Sequence, residues 1–125
     1  LYFTKANAER CLQESVTYKR ISSIAVRGRN LTETDWEDVR LLVSEYLPGF
    51  DDFMVTNKSQ LKANEYPVCL LLRLHFKAVD IADMLDISKS QVSLLCADIM
   101  QRLFEKKGGS KELSSLLAIN ILATL

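Results

Sequence analysis

"DIADMLDISKSQVSLLCADIMQRLF", residues 80–104, holds two apolar stripes of helical spacing with a short polar turn between them. Val79, Ile81, Ala82 and Leu85 predict a helix of about two turns, with Ala82 small enough for another helix to pass closely. Asp86 follows, a residue that enters left-handed backbone geometry at lower cost than most. Ile87 plugs the corner. Ser88 then opens a second helix, and Gln91 three residues on completes a capping box. Val92, Leu95, Cys96, Ile99 and Leu103 recur at three- and four-residue steps, which marks one buried stripe. A short helix, a tight turn and a longer capped helix make a helix-turn-helix over residues 79–106. A helical hairpin without a ligand would show the same stripes, because periodicity registers burial alone.

A helix-turn-helix that reads DNA lays its second helix in the major groove. With Val92 and Ile99 facing inward, Ser90, Leu94, Ala97 and Gln101 face outward, with Ser93 and Asp98 on the shoulders. Ser90 or Gln91 suits a base edge, and Leu94 suits a thymine methyl. Each has a plainer use, since Ser90 and Gln91 serve a helix start and Leu94 can meet another protein. Phosphate contacts need cations or helix ends. The candidates are Lys77, Lys89, Arg102, Lys106 and Lys107, with the amino end of the second helix at Ser88. Residues 89–107 contain four bases (Lys89, Arg102, Lys106, Lys107) against two acids (Asp98, Glu105), a surplus of two. Asp98 repels phosphate. Weak DNA binding by a single copy is expected, and a homodimer would double the footprint.

The chain as a whole adds no electrostatic pull. Its 125 residues are one domain's worth by length, and sixteen basic side chains cancel sixteen acidic ones. An apolar share of 48% is enough to bury a real, modest core. Four Gly and two Pro argue against a turn-rich β-sandwich. Cys11, Cys69 and Cys96 are odd in number, widely spaced and without a CxxC, a poor disulfide framework and no zinc set. They read as reduced, mostly buried thiols of a cytoplasmic protein. No signal peptide is visible, and the apolar runs fall short of the roughly 20 residues of a membrane span.

Residues 4–27 predict one long helix, with Ala8, Leu12, Val16, Ile21, Ile24 and Ala25 near one side, broken by "RGRN" at Gly28 and Asn30. In "LTETDWEDVRLLVSEYLPGF", residues 31–50, Thr34 and Glu37 are placed as a capping box. Trp36, Val39, Leu42, Val43 and Tyr46 or Leu47 form the inner stripe, and Pro48-Gly49 is the stop. The acids of "TDWED" also suit a metal, but helix capping explains them more simply. Asp51 caps a short helix, and Asn64 caps a strongly apolar one over about 63–75 with Pro67 in its first turn. Cys69, Leu70, Leu72 and Phe76 belong to its core side, while the lone His75 suits a surface or helix end. Gly108 and Gly109 end the long second helix, and Ser110 caps a last one with Leu113, Leu116, Leu117 and Ile121 on its apolar side. With Ile119 and Leu122 this tail is apolar nearly all round, so it packs on the domain or pairs with another chain.

"IADMLDISKSQVS" resembles the helix-turn-helix of LuxR-type regulators and of region four of sigma factors. A broader likeness joins "LTETDWEDVRLLVSEYLPGF", "NEYPVCLLLRLHF", "IADMLDISKSQVS" and "RLFEKKGGSKEL", in that order, over about Ser15 to Leu117. It is to a group of bacterial transcriptional regulators that carry tetratricopeptide repeats, often a membrane segment and coiled coil, and end in such a helical domain. The resemblance implies a C-terminal DNA-binding fragment of a larger regulator. This sequence departs from the group at "LLCADIM", residues 94–100, where several arginines are usual.

The expected architecture is therefore an all-α, multi-helix domain containing a helix-turn-helix and preceded by a long N-terminal helix. Residues 1–30 would be that helix, a coiled-coil or dimerisation extension, and 31–125 the helical domain. The expected function is transcriptional regulation through double-stranded DNA. The contacts would come from Lys77, Ser88, Lys89, Ser90, Gln91, Ser93, Leu94, Ala97, Arg102 and Lys106. No nucleophile–base pair, metal set or phosphate loop points to an enzyme, and no cofactor, small-molecule substrate or membrane contact is expected. The alternative is a protein-interaction or dimerisation module whose helix-turn-helix has lost its DNA charges.

Overall fold

The apolar stripes fold as helices and meet in one core. In the computed structural model, the backbone is described for residues 5–123 and side chains for residues 7–119. Among these residues the chain is all-α. In order come α1 (Lys5–Glu14), α2 (Val16–Val26), α3 (Glu33–Tyr46), α4 (Pro48–Thr56), α5 (Glu65–Arg73), α6 (Ala78–Leu85), α7 (Lys89–Phe104) and α8 (Ser110–Ala123). A single 3-10 turn, Lys58–Gln60, links α4 to α5.

The N-terminal segment is two helices, not one. Ser15 stops α1 and starts α2: its hydroxyl donates to the Leu12 carbonyl at 2.6 Å and accepts from the Tyr18 amide at 3.1 Å. A serine offering both bonds competes with helix continuation. Residue 4, the expected start of the long helix, lies outside the described residues. Leu12, Ile21 and Ala25 join the common core, so α1 and α2 pack as part of the same body. Val16, assigned to the inner stripe, is exposed. Gly28 takes the left-handed turn after α2 with φ 64°.

Several caps differ from their sequence assignments. Asn64 precedes α5, but its side chain makes no capping hydrogen bond, and Glu65 Oε1 accepts from the Lys62 amide there instead. In α3 the capping box is Thr32 with Asp35: Thr32 Oγ1 accepts from the Asp35 amide at 3.2 Å, and Asp35 Oδ2 accepts from the Thr32 amide at 2.9 Å. Thr32 wins over Thr34 because Asp35 also binds Arg20 of α2, a bond that no local pattern contains. Pro48 opens α4 at its first turn, so Asp51 lies inside that helix and does not cap it.

The core is centred on α5. Val68, Cys69, Leu70, Leu71, Leu72 and Arg73 are all buried, because α3, α6, α7 and α8 surround this helix. His75 ends it in left-handed geometry with φ 72° and is exposed. From α7, Val92, Cys96, Ile99 and Met100 are buried, while Leu95 and Leu103 pack at the margin. Val79, assigned to the stripe of α6, is half exposed at 51%.

The end of α7 also differs from expectation. It closes at Phe104 with Glu105 left-handed at φ 54°, before Gly108 and Gly109 are reached. Gly108 is needed for a different reason. A Cβ there would fall 2.8 Å from Met100 Cε, the movable end of that side chain, and 2.9 Å from Glu112 Cβ, so a side chain at 108 would require the first turn of α8 to shift. Ser110 is the first residue of α8, and the Glu112 carboxylate accepts from the Gly109 amide at 2.8 Å in place of a serine cap. Leu113 and Leu117 are fully buried. The last helix therefore packs on its own domain, and Leu117 is not a surface for a second chain. Ile121 and Leu122 have side chains outside the described residues.

Candidate nucleic-acid interface

The turn between α6 and α7 forms as its residue chemistry requires. Asp86 is left-handed at φ 56°, and its amide donates to the Asp83 carbonyl at 3.2 Å. The Ile87 amide donates to the Ala82 carbonyl at 3.0 Å, closing the end of α6 while Ile87 packs against the core. Ser88 Oγ accepts from the Gln91 amide at 3.1 Å, and Gln91 Oε1 accepts from the Ser88 amide at 3.0 Å. Leu31 ties the preceding loop to this unit, its amide donating to the Met84 carbonyl at 2.9 Å. The two helices are thus held at both the turn and the back.

The residues singled out for DNA divide between two surfaces. On the outer face of α7, Ser90, Ser93, Leu94, Ala97 and Gln101 are all exposed, Leu94 at 66%. Asp98 is exposed on the same helix. Beside Leu94 lies a dimple of about 170 Å³ lined by Asn64, Ile87, Gln91, Leu94 and Leu95. Ser88 and Gln91 are occupied by the capping box, which leaves Gln91 only its amide nitrogen for an outside acceptor.

Lys77 and Lys89 lie on the other surface. They line an open cleft of about 710 Å³ between the α5–α6 corner, the start of α7 and the start of α8. Lys106 lines a neighbouring groove of about 360 Å³ with Lys107 and Lys111. Lys111 and Ser115 belong to both grooves, so the two form one basic track along α8. The sequence reading did not include Lys111. Its signal was weak, a single lysine in a tail whose apolar residues drew the eye; "SKELSS" at 110–115 is nonetheless a polar run on the first turns of that helix.

Arg102 does not stand free for phosphate. Its Nη1 donates to the fully buried carboxylate of Glu65 and to the Gln60 carbonyl at 3.3 Å. The same Glu65 Oε1 accepts from the Lys62 amide at 2.9 Å, while Oε2 is buried without a hydrogen-bond partner among the described residues. Sequence spacing could not show this, because Glu65 and Arg102 are 37 residues apart. A second buried charge was missed for the same reason: Arg73 reaches Glu9 of α1 at 2.5 Å and lies over the Phe50 ring.

Among the described residues, no group of three or more His, Cys, Asp or Glu side chains could hold a metal ion. No described helix is long and apolar enough to cross a membrane. No protein-family model, curated protein or solved structure matches the chain.

Proposed function

We propose that this chain is a DNA-binding domain of a transcriptional regulator, in which α6 and α7 act as a helix-turn-helix and α7 enters the major groove. The observation that carries the proposal is the surface of α7. It presents a continuous exposed row of short or uncharged side chains (Ser90, Ser93, Leu94, Ala97), with Lys77 and Lys89, which form no ion pair among the described residues, beside its first turn. A groove admits a helix with such a face, and bases are then read by contact and single hydrogen bonds. Lysines at the flank supply the sequence-independent affinity. Arg102 being engaged with Glu65, the phosphate footprint on α7 itself is smaller than residue counting suggests. Two copies on paired half-sites would compensate for it.

A specific observation favours a second reading, in which α7 docks on a protein. Leu94 is 66% exposed at the edge of the dimple under Ile87 and Leu95, and Asp98 on the same helix opposes phosphate. An apolar knob beside a dimple suits a partner helix. Fluorescence anisotropy of mixed-sequence duplexes at low and at moderate salt separates the two. Binding that weakens steeply with salt supports the DNA reading; no binding at either salt leaves the protein-docking reading in its place.

A further inference from the structure

We propose that the basic track on α8 is a seat for the DNA backbone, with Lys111 a phosphate contact and α8 a third DNA-binding helix of the domain. DNA binding by the α6–α7 pair is the premise for this assignment. The cleft is lined by Lys77, Lys89 and Lys111 together with the hydroxyls of Ser110, Ser114 and Ser115, and no carboxylate lines it. None of the three lysines forms an ion pair among the described residues, although the protein as a whole has equal numbers of acids and bases. Cations gathered without counter-charges on one surface of a neutral protein repel each other, and they suit a polyanion. The neighbouring groove adds Lys106 and Lys107. Its one acid, Glu112, is held by the Gly109 amide at 2.8 Å.

Position favours a backbone over a small anion. The cleft is open and reaches Lys89, the first residue of α7, so it lies next to the start of the helix assigned to the groove. Two joined grooves make an elongated track, which matches a strand of successive phosphates better than one compact ligand. Lysine and serine side chains are phosphate-positioning groups and carry no base code of their own. Buried Leu113 and Leu117 anchor the inner side of α8, so the lysine is presented from a helix packed on the core.

The test is the salt dependence of duplex binding by the whole chain and its variants. Lys111→Ala should weaken binding to all sequences alike and lower the slope of log K against log[salt] by about 0.9, the value of one phosphate contact. Lys111→Arg should retain the slope. Lys19→Ala, which removes the same charge from α2 outside both grooves, should leave it unchanged. Lys111 is exposed, so its loss should not move the melting temperature. An unchanged slope in Lys111→Ala while Lys89→Ala lowers it would overturn the seat on α8 and leave DNA binding by α7 standing. Loss of inorganic pyrophosphate binding in Lys111→Ala with an unaltered duplex slope would overturn it too, in favour of a small-anion site. Absence of duplex binding by the unmodified protein at low salt removes both assignments together.

Discussion

Arg102 of α7 donates to the Glu65 carboxylate at the start of α5, joining two helices across the edge of the core. Glu65 is fully buried, whereas the Arg102 side chain is 32% exposed. Removing the arginine strands a buried carboxylate, and that costs far more than the pair contributes. Arg102→Ala is expected to destabilise the protein by about 2–4 kcal/mol, measured by denaturant unfolding. A double-mutant cycle with Glu65→Gln should give a coupling above about 1 kcal/mol. Loss of DNA binding in Arg102→Ala with full stability would instead return Arg102 to the phosphate contacts.

The Asp35 cap predicts an acid limb in stability. Burial pushes the Asp35 carboxyl up, but the Thr32 amide and the Arg20 guanidinium more than offset it, holding the pKa below the ordinary 3.8. A depressed folded pKa stabilises the protein above the unfolded value, and the effect is lost as pH falls through the folded one. Asp35→Asn should cost about 1 kcal/mol at neutral pH through the weakened cap, and it should flatten the fall of Tm below about pH 4. An acid limb identical in both proteins would place the titration elsewhere, with Glu9 the next group to test, since Arg73 and His75 hold its pKa down against burial.

Thiol reactivity should divide the three cysteines. Burial pushes Cys96 up to about 11, and Cys69 is raised further by burial, then by Cys96 and Glu65 nearby. The reactive species is the thiolate, so neither should react near neutral pH in the folded protein. Cys11 is only half-buried. Ellman titration should count one thiol per chain in buffer and three in denaturant. Rapid labelling of Cys96 in buffer would mean that α7 opens locally.

Substitutions on α8 should separate core from surface. Leu117 is fully buried in the core, so Leu117→Glu should destabilise by more than about 3 kcal/mol. Ile119 is 59% exposed, and Ile119→Glu should change stability by less than about 0.5 kcal/mol. If α8 also serves a homodimer, Ile119→Glu shifts sedimentation toward the monomer at unchanged Tm. A strictly monomeric parent protein at high concentration would remove the dimer.

On α7 the charge and contact effects should part company. Lys89→Ala should weaken binding to all sequences and reduce the salt slope by about one contact. Asp98→Arg should strengthen it, with a gain that shrinks as salt rises. Leu94→Ala should lower preference for the true target by about 1 kcal/mol with little change in slope. Unaltered low-salt affinity in Asp98→Arg would show that this face does not meet DNA.

The short-range features were legible in the sequence because neighbouring residues alone create them. Ser88 with Gln91, the left-handed Asp86, and the stripe of Val92, Cys96 and Ile99 each depend on three or four positions along one chain segment, and each formed as its chemistry required. The all-helical class follows from the same periodicities. Where two local patterns competed, the sequence could not choose. Thr32 and Thr34 are both fit caps, and the Arg20–Asp35 pair from another helix decided between them. Ser15 could continue a helix or break it, and packing of Leu12 and Ile21 into one core required the break. Charges were the least legible. Arg102 and Lys111 look alike as cations in sequence, yet one is drawn to a buried carboxylate 37 residues away and the other lines an open cleft. Desolvation and pairing are properties of three-dimensional neighbours, so only the tertiary structure could assign them.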